Sequence, residues 1–306
     1  MAKKNGTKQE INLISLVEKY GNEEACRAYL EELRFPNGVA CPRCGSMCVS
    51  RIQKYHIFEC RSCVYQFRVI TGTIFTDTHL PLWKWFTAVY LMVESRKGIS
   101  ANQMKRTLGV SYKTAWYLCH RIRAAMNDGN PSLLKGTVEV DETYVGGKTE
   151  GMGHGYKGNK ALVVGAIERG GDAVLNTIDH ADIETLRKFI HDHATPDILY
   201  TDEWPAYKAA GEGIKHETVN HSADKWVRGD VHTNSIENIW SLLKRSIMGS
   251  YHQVSKKHLD AYLDELEWRF NNRDNPYLFR DTLLKLINSE NLQYKELVSS
   301  ASISFP

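Results

Sequence analysis

The chain has 306 residues, of which 42% are hydrophobic and 25% charged, as is typical of a globular protein with one large domain or two to three smaller ones. No run of about 18 apolar residues occurs, which excludes a membrane span by the usual criterion. The polar start MAKKNGTKQE lacks the apolar core of a secretory signal, so we expect a cytoplasmic protein.

Charge is unevenly distributed along the chain. Residues 41–126 contain thirteen Lys and Arg against three Asp and Glu, a net charge of +10, whereas residues 1–40 balance and residues 127–306 sum to −7. The basic segment 41–126 favours contact with nucleic acid, and the acidic segment 127–306 can concentrate carboxylates that bind a metal ion. Two solvated domains of opposite charge would give the same segregation, so charge alone leaves both interpretations open.

Four of the seven cysteines form two Cys-x2-Cys pairs, Cys41 with Cys44 and Cys60 with Cys63, separated by fifteen residues. Each pair can occupy a tight turn, and two such turns complete the tetrahedral thiolate site of one structural Zn²⁺. The segment between the pairs is rich in strand-forming residues, as in a zinc ribbon. The alternatives are disulfides, which are disfavoured in a chain without a secretion signal, and free buried thiols, which would not repeat this spacing by chance.

The remaining cysteines have other expected roles. Cys48 and His56 lie inside the ribbon loop and are the only plausible substitute ligands there. Cys26 and Cys119 fall on helical patterns and are predicted to be small core residues. Two short helices, separated near Gly21, are predicted before the ribbon, and LPLWKWFTAVYLMVES predicts a buried helix after it.

The segment GISANQMKRTLGVSYKTAWYLCHRIRAAM predicts two helices joined by a turn. Ser100 and Gln103 form a capping box for the first helix, Gly109 makes the turn and Ser111 caps the second. The second helix carries three basic residues predicted to contact DNA, Lys113, Arg121 and Arg123. Helix-turn-helix proteins place this helix in the major groove. Helical hairpins also occur in other proteins, but a neighbouring zinc ribbon in a strongly basic segment favours DNA binding.

From Gly136 the hydrophobic period changes from that of helices to that of strands. Five strands are predicted, within TVEVDETYVGG, ALVVGAIERGG, AVLNTIDH, DILYTDEW and KHETVNH, with helices in ADIETLRKFIHDH and PAYKAAGE and a longer one after the last strand. This order predicts a mixed five-stranded sheet with helices packed on it, so the fold class is α/β within a multidomain α+β chain.

Three acids occupy positions in this sheet that suit a metal site. Asp141 lies within the first strand, Asp202 ends the fourth strand, and Glu237 lies on the following long helix, in the pattern Asp-x60-Asp-x34-Glu. Three carboxylates without His or Cys favour Mg²⁺ or Mn²⁺, and two such ions catalyse in-line phosphodiester reactions. Singly, each acid has a structural explanation, such as a helix cap at Asp202. The neighbouring Glu142 and Glu203 point the other way on a strand and are rival candidates.

The motifs VEVDETYVGG, YTDEWPAY and HTNSIENIWSLLKR, followed by GSYHQVSKKHLDAYLDELEWRFNNR, resemble the DDE transposases of bacterial insertion sequences that carry an amino-terminal zinc ribbon. The resemblance covers roughly residues 15–285, including FPNGVACPRCGS and GVSYKTAW. It implies an RNase H-like catalytic fold, as in retroviral integrases, and DNA cleavage and strand transfer at the terminal inverted repeats of the element.

Carried over residue by residue, the resemblance implies that Asp141, Asp202 and Glu237 are the catalytic acids that hold two Mg²⁺ or Mn²⁺ ions. Lys244, seven residues after Glu237 and on the same helix face, matches a basic residue that contacts a DNA phosphate. Some relatives use Asn as the third ligand, so Asn234 is a supporting or rival ligand.

The family mechanism implies that a 3′-hydroxyl freed at the transposon end attacks target DNA directly. A homodimer or larger assembly is expected on DNA, in the bacterial cytosol and associated with the nucleoid. Further basic residues are predicted to contact DNA near the site. Lys148, Lys157 and Lys160 lie in the glycine-rich loop KTEGMGHGYKGNK, and Arg245 lies on the helix that carries Glu237.

Two other classes of function remain open at the level of sequence. An RNase H-like nuclease would use the same acids without strand transfer. A non-enzymatic zinc-ribbon and helix-turn-helix regulator is the other class, but it would not explain why Asp141, Asp202 and Glu237 occur in this order on two strands and a helix.

The predicted domain division has five parts. They are an N-terminal helical segment (1–40), the zinc ribbon (41–75), the helix-turn-helix region (80–130), the RNase H-like DDE domain (136–285) and a C-terminal tail (286–306).

Overall fold

A computed structural model describes residues 11–127, 129, 132–146, 160–211, 213–219 and 233–299. The chain divides into two compact units: the first consists of Met1–Met126 with Asp274–Pro306, and the second of Asn127–Arg273. Within the described residues, no helix is both long and apolar enough to cross a membrane. The five-part division by sequence stays a prediction, apart from its C-terminal boundary at residue 285, which is described below.

The first unit begins with two short helices and a small sheet. Helices α1 (Leu13–Tyr20) and α2 (Glu23–Arg34) start at asparagines whose side chains accept hydrogen bonds from backbone N–H groups of the first turn. Three antiparallel strands follow in the order β1-β2-β3, namely β1 (Val49–Ile52), β2 (Ile57–Cys60) and β3 (Gln66–Phe67). A small apolar core of Phe35, Phe58 and Phe67 supports the cysteine turns.

Three helices complete this part of the first unit. Helix α3 (Leu82–Glu94) is buried over most of its circumference, as its sequence predicts. Helices α4 (Ala101–Leu108) and α5 (Tyr112–Met126) pack together, joined at Gly109, whose positive φ of 61° favours glycine. Ser100 accepts a hydrogen bond from the Gln103 N–H, and Ser111 accepts one from the Thr114 N–H, so both predicted caps are present.

The second unit is built on a five-stranded mixed sheet in the order β6-β5-β4-β7-β8. The strands are β4 (Leu134–Val145), β5 (Ala161–Glu168), β6 (Ala173–Ile178), β7 (Ala194–Asp202) and β8 (His216–Val219). The first three pair antiparallel, whereas β7 lies parallel to β4 and β8 lies parallel to β7. The mixed five-stranded sheet predicted from sequence is confirmed.

Helices cover both faces of this sheet. Helices α6 (Ile183–His193) and α7 (Pro205–Ala210) close a core with Val138 and Val140 of β4. On the other face, α8 (Asn234–Ser246) and α9 (Leu259–Asn271) pack against β4, β5 and β6. Because side chains alternate along a strand, the odd-numbered residues of β4 around position 141 face α8. A five-residue π-helix, Ile247–Tyr251, continues α8.

The C-terminal residues differ from the sequence prediction, which assigned residues up to 285 to the sheet domain and the rest to a frayed tail. Helix α10 (Leu278–Asn288) instead packs against α2, α3 and α5 of the first unit, with Phe279 among the rings of Tyr20 and Phe86. A further short helix, α11 (Tyr294–Val298), follows. The apolar stripe of α10 is the physical reason, since it has to be buried against a matching surface.

Candidate active site and zinc site

The three predicted acids come from three elements of the second unit. Asp141 lies on β4, Asp202 is the last residue of β7, and Glu237 lies in the first turn of α8. The strands β4 and β7 are parallel neighbours, and Glu139 of β4 is paired with Tyr200 of β7. Asp141 and Asp202 each lie two residues further along their own strand, so they are at the same level of the sheet. Asp202 therefore sits at the carboxyl end of its strand, the edge at which α/β sheets bind ligands.

A cavity brings acids and basic residues together. It is lined by residues of β4, of α8 and of the π-helix, and they are Asp141, Glu142, Thr143, Glu237, Trp240, Ser241, Lys244, Arg245 and Met248. Lys244 and Arg245 are exposed, and Asp141 and Glu237 are half-buried. The cavity thus presents carboxylates beside cationic side chains, as a site for a metal ion and a phosphate group would.

The carboxylates interact electrostatically. Burial raises the pKa of Asp141 to about 6, opposed by the hydrogen bond from the Trp240 indole and reinforced by the negative charges of Asp202 and Glu237. The repulsion between these groups is what a divalent cation would relieve. Asp202 also accepts a hydrogen bond from the Trp204 N–H at 3.0 Å, so it caps the turn into α7 as well.

Trp240 orients Asp141 across the interface between helix and sheet. Its Nε1 donates to Oδ2 of Asp141 over 2.9 Å. Gly165, opposite Asp141 on β5, makes room for the indole, because a Cβ there would lie 2.6 Å from Trp240 Cη2. Trp240 is buried among the apolar residues of α8, and nothing in the local sequence indicates its hydrogen bond to Asp141.

Of the two rival acids, Glu142 lines the same cavity but hydrogen-bonds a residue on the other face of the sheet, whereas Glu203 is not among the lining residues. The Tyr207 hydroxyl donates a short hydrogen bond to Oε2 of Glu142, from the opposite face of the sheet. Burial raises the pKa of Glu142 to about 7, opposed by this bond and reinforced by the charges of Asp141 and Asp202. Glu203 is exposed, and so is Asn234, the first residue of α8.

The sheet also contains a buried acid, Glu139, that is not among the residues predicted from sequence. Glu139 is fully buried, accepts hydrogen bonds from Ser235 and Ile236 at the start of α8, and forms an ion pair with Arg169. The signal was present, because Glu139 is two residues before Asp141 in VEVDE and therefore on the same face of the strand.

The four ribbon cysteines are the only group of three or more His, Cys, Asp or Glu among the described residues placed to hold a metal ion. The carboxylates of Asp141, Asp202 and Glu237 do not form such a group, and Asp202 is not among the residues that line the cavity.

The cysteine group fits zinc. All four Sγ atoms lie within 4.8 Å of one another, with 3.7 Å between those of Cys41 and Cys63 and 3.6 Å between those of Cys44 and Cys60. A tetrahedral zinc with bonds of about 2.3 Å to sulfur requires about 3.8 Å between sulfurs. Cys48 lies outside the group and is exposed.

The residues predicted to contact DNA differ in their exposure to solvent. Lys113 is exposed, with its Nζ 4.3 Å from the ring centre of Tyr294, and Lys160 is half-buried. Lys148 and Lys157 lie outside the described residues. Arg121 and Arg123 are buried, 4% and 2% exposed, so their prediction as DNA contacts is wrong for this structure.

Arg121 serves the core of the first unit instead. Its guanidinium donates to the carbonyls of Ile74 and Thr76 and to Oδ1 of Asn291. It also lies over the rings of Trp85 and Tyr117. The sequence could not reveal this, because the carbonyls it binds lie about 45 residues away along the chain.

Comparison with known proteins gives consistent matches. Residues 133–271 match the ISXO2-like transposase domain, and residues 21–66 match the transposase zinc-ribbon domain. An uncharacterized protein in transposable element ISH50 of Halobacterium salinarum is 31% identical over 276 residues, covering 83% of this chain and 92% of that protein. An uncharacterized transposase-like protein of Haemophilus influenzae is 34% identical over 92 residues, 29% of this chain and 73% of that protein.

Solved structures give weaker matches. The Mos1 strand transfer complex aligns with a TM-score of 0.30 at 12% identity, covering 72% of this chain and 79% of that chain. A pre-cleavage Mos1 transpososome aligns with a TM-score of 0.26 at 10% identity, covering 65% and 77%. These scores are too low to establish a shared fold.

Proposed function

Because this chain belongs to the ISXO2-like transposase family, we propose that it binds the terminal inverted repeats of its insertion sequence and joins them to target DNA by DDE chemistry. One observation carries the proposal: Asp141 and Glu237, from different elements, line one cavity with the cationic Lys244 and Arg245. The negative charge of Asp202 also raises the pKa of the Asp141 carboxyl group.

The acids Asp141, Asp202 and Glu237 would hold two Mg²⁺ or Mn²⁺ ions. When bound, such ions activate the attacking oxygen and stabilise the leaving oxygen of a phosphodiester. The oxygen-only donor set and the repulsion between the carboxylates support this choice of metal. Trp240 holds one oxygen of Asp141 by its N–H, and Thr233 donates to Oε1 of Glu237 at 3.2 Å, so both carboxylates are oriented by the protein.

The basic side chains would bind the DNA backbone. Lys244 follows Glu237 by seven residues, nearly two full helical turns, so the two side chains leave α8 on the same side. Lys244 and Arg245 are exposed beside the acids and are suited to holding phosphates next to the reacting bond. Asn234 is retained as a candidate supporting ligand, and Lys113 as a DNA contact of the helix-turn-helix.

The cysteine group would hold one structural Zn²⁺ and so fix the ribbon as a rigid module. Pairing of two transposon ends requires at least two active sites, so a homodimer or larger assembly is proposed on DNA. The RNase H-like description of the second unit is supported by its sheet order and by the parallel pairing of β4 with β7.

The test is strand transfer with a matched pair of variants. Inverted repeats flanking the gene supply a labelled duplex end, which is incubated with plasmid, Mg²⁺ and the full-length protein. Wild type and Glu203→Gln are expected to join the end to plasmid, because Glu203 is an exposed neighbour of the site. Asp202→Asn is expected to abolish joining while still binding the labelled end.

Other outcomes would contradict the proposal. Metal-dependent cleavage without joining would identify an RNase H-like nuclease. Binding without either reaction, in a preparation with full zinc occupancy, would identify a non-enzymatic DNA-binding protein. Loss of activity in Glu203→Gln but not in Asp202→Asn would mean that the acids have been wrongly assigned.

A further inference from the structure

Glu139 is a carboxylate buried at the start of the helix that carries Glu237. It is 0% exposed and lies on β4, two residues before Asp141 and therefore on the same face. Its oxygens accept hydrogen bonds from the Ser235 N–H at 2.8 Å, the Ser235 hydroxyl at 3.0 Å and the Ile236 N–H at 3.1 Å. One acid of the strand thus binds the first turn of α8 at three points.

These bonds replace the usual cap of the helix. Thr233, the residue before α8, makes no capping hydrogen bond with its side chain, and its hydroxyl donates to Glu237 instead. The first N–H groups of a helix have no partner within it and carry partial positive charge, so a carboxylate is a suitable partner. Here that carboxylate comes from a strand almost 100 residues earlier in the chain.

Arg169 fixes the other side of the carboxylate. Its Nε donates to Oε1 of Glu139 at 2.7 Å, and its guanidinium lies 4.5 Å from the ring centre of Tyr200, which is opposite Glu139 on β7. The Arg169 backbone N–H donates to the Thr137 carbonyl at 3.0 Å. The chain turn after Arg169 is stabilised by Arg273, which donates to the carbonyls of Gly170 and Gly171.

We propose that Glu139 is a positioning residue for catalysis, which fixes the start of α8 and thereby sets Glu237 against Asp141. The inference rests on the proposed function, because it assumes that these two acids hold the same metal ions. Its physical basis is that Glu139 and Asp141 share one rigid strand, while Glu237 lies one residue beyond Ile236. Loss of the carboxylate would free the first turn of α8, and with it Glu237. The buried apolar residues Ile239, Trp240 and Leu243 would keep the rest of the helix on the sheet.

The experiment measures Mn²⁺ binding to the full-length, zinc-loaded protein by electron paramagnetic resonance, without DNA. Glu139→Gln is expected to weaken Mn²⁺ binding at least about tenfold, the range usual for residues that orient metal ligands. The control is Glu265→Gln, which also removes a fully buried carboxylate paired with an arginine, Arg269, in the same unit. It is expected to leave Mn²⁺ binding unchanged, because Glu265 lies on α9.

Hydrogen exchange provides a second measurement that a general loss of stability would not reproduce. In Glu139→Gln, the amides of residues 235–237 should exchange faster, while those near the end of α8 keep their protection. If Glu139→Gln does not fold, the double variant Glu139→Gln, Arg169→Gln avoids a buried unpaired charge and is measured in the same way. Ser235→Ala, which removes only the hydroxyl contact, should weaken Mn²⁺ binding to a smaller extent.

The outcomes separate this inference from the proposed function. If wild type binds Mn²⁺ and Asp141→Asn does not, the metal site is as proposed, and wild-type affinity in folded Glu139→Gln or in the double variant would overturn the role of Glu139. Equal weakening in Glu265→Gln would also overturn it. If Asp141→Asn binds Mn²⁺ as wild type does, the proposed active site itself is wrong, and the positioning role is lost with it.

Discussion

The indole N–H of Trp240 donates to the carboxylate of Asp141 over 2.9 Å, linking the core face of α8 to an acid of the central strand. The same side chain is 4% exposed and packs over Gly165. A residue that looks purely apolar in the sequence therefore ties the packing of the helix to the orientation of a candidate metal ligand.

Replacing this donor should lower both strand-transfer activity and folding stability. Trp240→Phe keeps an aromatic side chain but removes the N–H, leaving one oxygen of Asp141 without its partner. We expect a loss of about 1–3 kcal/mol in the free energy of unfolding and a fall in strand transfer of about 10- to 100-fold. Urea unfolding and the strand-transfer assay measure the two effects, and an unchanged joining rate would mean that the bond does not orient Asp141.

Enlarging Gly165 should disturb the same contact from the other side. A Cβ at this position would lie 2.6 Å from Trp240 Cη2 and 2.8 Å from Leu175 Cδ2, both in a packed core. Gly165→Ala should cost about 1–3 kcal/mol of folding stability. Gly249→Ala is the control, because no atom lies within 4 Å of its added Cβ. Equal thermal midpoints for the two variants would show that the core accommodates the methyl group.

The ribbon cysteines should hold one zinc ion per chain. Cys44→Ser removes a member of the four-cysteine group and is expected to lose the ion, whereas Cys48→Ser alters an exposed cysteine outside it and should retain it. Atomic absorption on the purified proteins measures zinc stoichiometry. Retention of a full equivalent by Cys44→Ser would contradict the assignment of the ligands.

Two of the three basic residues of α5, Lys113 and Arg121, should separate DNA binding from folding. Lys113→Ala removes an exposed charge, so it should weaken binding to duplex DNA and reduce the slope of log affinity against log salt by about 1. Arg121→Met removes a buried guanidinium and its hydrogen bonds to Thr76 and Asn291, and should cost about 2–4 kcal/mol of stability. An undiminished thermal midpoint in Arg121→Met would show that the buried contacts contribute little.

Protonation of His193 should destabilise the protein in mild acid. Burial lowers the pKa of its imidazole below the ordinary 6.5, although Asp192 opposes the shift. Since the unfolded chain then binds a proton more readily, the contribution of His193 to stability is intact above pH 6.5 and falls as the pH drops below it. His193→Gln should therefore lose less stability between pH 7.5 and 5.5 than wild type in urea unfolding. The exposed His180→Gln should match wild type.

By itself, the sequence determined the order of elements, the zinc-ligand spacing and three candidate acids. Local physics suffices for these, because strand alternation, helical period, caps such as Ser100 and Ser111, and Cys-x2-Cys turns depend on residues close together in the chain. The strand carrying Asp141, the strand ended by Asp202 and the helix carrying Glu237 are each predicted from local patterns, without any contact between them.

Only the tertiary structure decided which basic residues are exposed to solvent and which acids hold elements of the fold together. Arg121 and Arg123 look like a basic helix face in the sequence, yet packing within the first unit buries both. Glu139 and Asp141 look alike in VEVDE, yet one accepts hydrogen bonds from the start of α8 and the other faces the cavity. The physical reason is the same in both cases: the partners that satisfy or bury a charge come from segments far away along the chain, and local patterns carry no information about them.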